Sequence, residues 1–181
     1  MSVTLRYEEG AAVRGGTLGT VALLWGVGGF MLLLAFAVWR LGRLAAASLA
    51  FEWNTAHWAL FAGNLLFMAW VEGYRGFQQS YSPRLAARAL HLYRHATALQ
   101  ALLAPLVCMG FLHAPRRRMI SAFALTGGIV LIVLVYRALP QPWRGILDAG
   151  VVVGLLWGIA ATLGHVVGTL RTGPRVDPEF R

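Results

Sequence analysis

Apolar runs broken by one long polar stretch set the pattern of this chain. Runs at 17–39, 53–71, 96–114, 119–136 and 145–170 are each about 18 to 26 residues long, enough at ~1.5 Å per residue to cross a hydrocarbon core about 30 Å thick. The interruption is 72–95, EGYRGFQQSYSPRLAARALHLYRH. The pattern predicts a single-domain, all-α integral membrane protein. Its architecture is a bundle of about five transmembrane helices, with a basic amphipathic stretch leading into the third.

Helical phase adds detail within the runs. In the first, Gly15, Gly19, Ala22, Gly26 and Gly29 share one side, a small-residue stripe suited to close helix contact. In the second, Asn54, His57, Asn64, Glu72 and Arg75 fall within about 60° of one another at ~100° per residue, with Phe61 and Met68 in the same stripe. Polar groups at that depth are costly against lipid, so this face is expected to look into the bundle. Gly73 and Gly76 are read as a turn. Ser82-Pro83 is read as a helix start, with serine at the cap and proline at the first helical position. Beyond it Arg84, Arg88, His91 and His95 form a basic stripe of the kind that rests at a membrane surface. Pro105 is expected to kink the third run. The fifth repeats small residues on one face, Gly150, Gly154, Gly158, Ala161 and Gly168, with His165 among them.

Composition agrees with a bilayer setting. Of 181 residues, 58% are hydrophobic and 13% charged, too apolar for an ordinary soluble domain. Trp39, Trp53, Trp70 and Trp143 lie near the ends of apolar runs, as in an interfacial aromatic belt. All 16 basic residues are arginine and the net charge is +9, which points to anionic lipid headgroups rather than nucleic acid. The one cysteine, Cys108, permits no disulfide framework. The first run exceeds a signal-peptide core, and the segment before it balances Arg6 and Arg14 against Glu8 and Glu9, so it reads as a span. Five spans would place the termini on opposite sides, with the arginines divided evenly between them, so orientation is not set. The expected location is the cytoplasmic membrane of a bacterium.

Under that topology the ionisable residues fall into two sets. The first joins Glu72, Arg75, Arg84, Arg88, His91, His95 and Asp148 at one membrane face. Arg75, Arg84 and Arg88 are the candidates for binding an anionic headgroup, with Glu72, His91 or His95 as candidate acid or base on a lipid-linked or isoprenoid phosphate. No metal site is expected, because His91 and His95 have no HExxH or multi-histidine companion. The second set places His57, His113 and His165 in one leaflet, and a b-type haem between His57 and His165 is the alternative it offers. The sequence thus supports three readings. The leading one is an accessory module that contacts anionic lipid and docks a membrane partner, or a second copy, through its glycine faces. The others are a haem-binding electron-transfer protein and a membrane enzyme; whether the chain is an enzyme stays open at this level.

Overall fold

The computed structural model describes residues 16–112, 115–174 and 176. His113, Gly15 and the four acidic or basic residues of the N-terminal tail lie outside them. The described residues form helices and no strand: α1 (Thr17–Ser48), α2 (Thr55–Met68), a π-helical stretch (Ala69–Tyr81), α3 (Ser82–His95), α4 (Ala98–Leu102), α5 (Ala104–Met109), α6 (Arg116–Arg137) and α7 (Trp143–Thr172). Two of them, α1 and α7, are long and apolar enough to cross a membrane. Their outward side chains include Leu24, Leu32, Leu33, Phe36, Leu156 and Leu163, a surface that suits hydrocarbon better than water.

The main departure from expectation is that 55–95 is one unbroken helix. Met68 and Ser82, at either end of the π-helical stretch, both keep right-handed helical dihedrals. Gly73 and Gly76 therefore make no turn, and at Ser82-Pro83 the helix passes from π to α without a break, with no side-chain cap. The sequence signals were real but had another use. A wider helix with five-residue hydrogen bonds tolerates glycine, and a missing proline N–H is harmless where a neighbouring helix supplies a donor. At the other end the helix does begin where the sequence suggests. Asn54 Oδ1 accepts from the His57 N–H at 3.0 Å, and the Asn54 N–H donates to His57 Nδ1 at 3.2 Å, closing a reciprocal cap.

This helix runs parallel to α7 and antiparallel to α1. Asn64 and Met68 meet Gly150, Glu72 meets Gly154, Phe77 meets Gly158 and Ser82 meets Thr162, so both chains advance together. From Glu72 to Ser82 is ten residues, and from Gly154 to Thr162 eight, because the wider π turn climbs less per residue than an α turn. Against α1 the order reverses: Tyr93 meets Gly19, and Tyr81 meets Phe30 in a tilted ring contact with centroids 5.2 Å apart. The core lies where these three helices and α5 converge. Leu85, Ala89 and Leu92 of α3 pack there with Ala22 and Phe30 of α1, Ala104 and Val107 of α5, and Leu155 of α7.

The predicted third run also differs. It divides into α4 and α5 at Leu103, two residues before Pro105, and α5 stops at Gly110, whose φ of 85° is a left-handed conformation suited to glycine. At 5 and 6 residues these two pieces provide roughly 17 Å of helix, about half a hydrocarbon core. They dock on α1 through its small-residue stripe. A Cβ at Gly26 would lie 2.8 Å from Cys108 Sγ, and one at Gly29 2.8 Å from Pro105 Cγ. Trp25 Nε1 donates to the Leu102 carbonyl at 3.1 Å.

Candidate functional site

The polar residues of the long helix are gathered along its contact with α7. Asn64 Nδ2 donates to the Ile146 carbonyl at 2.7 Å. Glu72 lies against Gly154, whose Cβ-free backbone gives the carboxyl its room. Trp157 Nε1 donates to Gln78 Oε1 at 2.7 Å, and the Ser82 and Thr162 hydroxyls, both buried, stand 2.8 Å apart. Asn64 and Glu72 lie, half-buried, on the side of the helix that meets α7. Asn54 and Arg75, assigned to the same stripe, are exposed, and His57 is spent on the helix cap and a ring contact with Trp143 at 4.6 Å.

One contact in this seam explains Pro83. In the five-residue register of the π helix, the partner of the Gln78 carbonyl would be the N–H of residue 83, and proline has none. His165 Nε2 sits 3.1 Å from that carbonyl. A carbonyl only accepts, so Nε2 carries the hydrogen, and α7 supplies the donor that the helix's own sequence withholds.

Beside this bond a groove of about 850 Å³ opens between the start of α3 and the second half of α7. One wall is polar: Gln78, Gln79, Ser80 and Arg84, whose Nη1 donates to Ser80 Oγ at 3.2 Å. The other is made of small residues, Ala160, Ala161, Gly164 and Gly168, with His165 and Trp157 at its edges. A Cβ at Gly164 or Gly168 would meet nothing within 4 Å, so these glycines leave space in the groove while Gly150, Gly154 and Gly158 spend theirs on packing. Arg84 lies near the level of Gly164 and His165, six or seven residues before Arg171 and thus about 10 Å inside the end of α7.

The structure does not assemble the other constellations drawn from the sequence. Arg84 and Arg88 do not share a site: Arg88 is 6% exposed, and its guanidinium packs on Gly110 at the α3–α5 contact. Glu72 is level with Gly154 and Arg84 with Gly164, ten residues of α7 or roughly 15 Å apart, so Glu72 is not positioned as acid or base in the groove. His91 and His95, with ring centroids 5.0 Å apart, belong to the far end of α3, and Asp148 pairs with Arg144 near the start of α7 at 3.7 Å. His57 and His165 are not in one leaflet. His57 touches Trp143, and His165 lies 22 residues further along the same helix, about 33 Å away, so one haem cannot bridge them. The pairing rests on counting the third run as a full crossing; as α4 and α5 it covers only about half a hydrocarbon core, so α7 runs opposite to the expected direction. Among the described residues no group of three or more His, Cys, Asp or Glu is placed to hold a metal ion.

The groove was missed in the sequence because its walls lie far apart in the chain. The available signal was the break in the use of the α7 glycine stripe, but reading it requires knowing that the partner helix runs parallel.

Fold and seam define the class: among the described residues, an all-helical protein with two helices able to cross a membrane, a polar contact along α7, and a groove beside it whose described lining includes Arg84. No family model, curated protein or solved structure matches the chain.

Proposed function

We propose that this protein is a helical membrane module that binds an anionic amphiphile, a lipid with an acidic headgroup, in the groove between α3 and α7. In this reading 55–95 and α6 cross the bilayer beside α1 and α7, and of the headgroup candidates Arg75, Arg84 and Arg88 it keeps Arg84. The observation that carries it is the pairing of walls. Arg84, fixed by Ser80, offers a charge-assisted donor at about headgroup depth, and the opposite wall of alanines and glycines accepts an acyl chain without displacing a side chain. About 850 Å³ lies within the range of ligand sites.

The test is quantitative lipid analysis of protein purified in mild detergent, followed by binding to vesicles with and without phosphatidylglycerol. A hydrogen bond to a charged group is worth ~1.5–3 kcal/mol, so Arg84→Ala should weaken retention of anionic lipid about tenfold or more. Arg84→Lys should keep part of it. Arg75→Ala, which removes an exposed charge outside the groove lining, should change it little. Unchanged anionic-lipid binding by folded Arg84→Ala protein would refute the assignment.

A further inference from the structure

Glu72 takes no part in the groove, yet it is the most unusual ionisable group in the seam. Its Oε2 is buried and makes no hydrogen bond among the described residues. It faces Gly154, the twelfth residue of α7, so the carboxyl lies about 17 Å from one end of a helix able to cross a membrane and about 27 Å from the other.

No compensating cation faces it among the described residues. On this side α7 presents Gly150, Gly154, Trp157 and Gly158, none of them ionisable. The nearest ionisable groups of α7 are Asp148, which has Arg144 beside it, and His165, whose Nε2–H is given to Gln78. On the flanking parts of its own helix, His57 is in the cap, Arg75 is exposed, Arg84 is bonded to Ser80, Arg88 packs on Gly110, and His91, Arg94 and His95 occupy the last turns of α3. Arg40 and Arg43 of α1 are exposed, Arg43 over the Trp39 ring at 5.4 Å. An ionised carboxylate with a bare buried oxygen costs several kcal/mol in such surroundings, and a carboxylic acid far less. The contrast with Asp148 is instructive, since its own unbonded oxygen has a guanidinium at 3.7 Å.

We infer that Glu72 is a proton-binding site within the membrane, a carboxyl that takes up and gives back a hydrogen ion opposite Gly154. This extends beyond lipid binding in the groove and is independent of Arg84. A hydrophobic carbodiimide is the selective probe. The carboxyl oxygen bonds to the central carbodiimide carbon while its proton moves to a nitrogen, and the acyl group then migrates to nitrogen to leave a stable N-acylurea.

The experiment treats the full chain in lipid nanodiscs with dicyclohexylcarbodiimide at neutral pH and maps adducts by peptide mass spectrometry. An adduct on Glu72 and none on Asp148, declining as the pH is raised, is the expected result. No adduct on Glu72, or equal labelling of Asp148, would overturn the assignment. Infrared spectroscopy gives a second reading that needs no variant. The wild-type protein should show a protonated-carboxyl C=O band at neutral pH that is lost on alkaline titration, and Glu72→Gln, where it folds, should lack the band. A neutral wild-type sample without it sinks the proposal.

Discussion

The close contact between Gly19 of α1 and the Tyr93 carbonyl of α3 makes a sharp test of the packing argument. A Cβ at Gly19 would collide with the carbonyl oxygen and come within 2.9 Å of the Tyr93 carbonyl carbon. Both atoms are backbone, so no rotamer change relieves the clash. Ordinary contact at about 3.5 Å requires the two helices to part by something on the order of 1 Å. A gap of that size forfeits a quarter to a half of each dispersion contact it opens, and Ala22, Leu85, Ala89 and Leu92 are buried in the same core. Overpacking of this kind costs about 1–3 kcal/mol, against a gain of up to ~1 kcal/mol for replacing glycine by alanine within a helix. Gly19→Ala should therefore destabilise by roughly 1–2 kcal/mol. Gly28 lies in the same helix, and a Cβ there meets nothing within 4 Å, so Gly28→Ala keeps the propensity gain and should stabilise by up to ~1 kcal/mol. Unfolding by sodium dodecyl sulfate in mixed micelles, followed by circular dichroism, reads both. The opposite signs are the prediction. If Gly19→Ala is as stable as Gly28→Ala, α1 and α3 do not touch as described.

Two further outcomes test the seam with α7. In a double-mutant cycle of Ser82→Ala and Thr162→Val, the coupling energy should be about 0.6 kcal/mol and no more than ~1.7, the range found for hydrogen bonds between membrane helices; zero coupling would separate the two hydroxyls. His165→Ala should cost ~1 kcal/mol by orphaning the Gln78 carbonyl, and nearly nothing in a Pro83→Ala background, where residue 83 regains its own N–H; equal costs in both backgrounds would rule out the compensation.

What could be read from the sequence depended on whether a signal was local or relational. Helical phase is local, and it placed Asn64 and Glu72 on the face that meets α7; the stripe of Gly150, Gly154 and Gly158 is local too, and it marked the surface they meet. The α2 cap is equally local, since Asn54 and His57 are three residues apart, but helical phase alone reads that histidine as an inward-facing group. The glycines at 73 and 76 and the Ser82-Pro83 pair are different. Their usual meaning as turn and helix start rests on backbone groups being satisfied within the segment or by water. Here α7 satisfies them instead: Thr162 takes the Ser82 hydroxyl, His165 fills the donor that Pro83 lacks, and Trp157 lies on Gly73, where a Cβ would stand 2.8 Å from its Cγ. None of those partners can be chosen from the sequence until the direction of the long helix is known. Counting 96–114 as a full crossing likewise reverses α7, which is what the pairing of His57 with His165 requires. The polarity of 72–95 thus falls where the long helix meets α7, and Glu72 and Arg84 stand at two levels of that contact, about 15 Å apart.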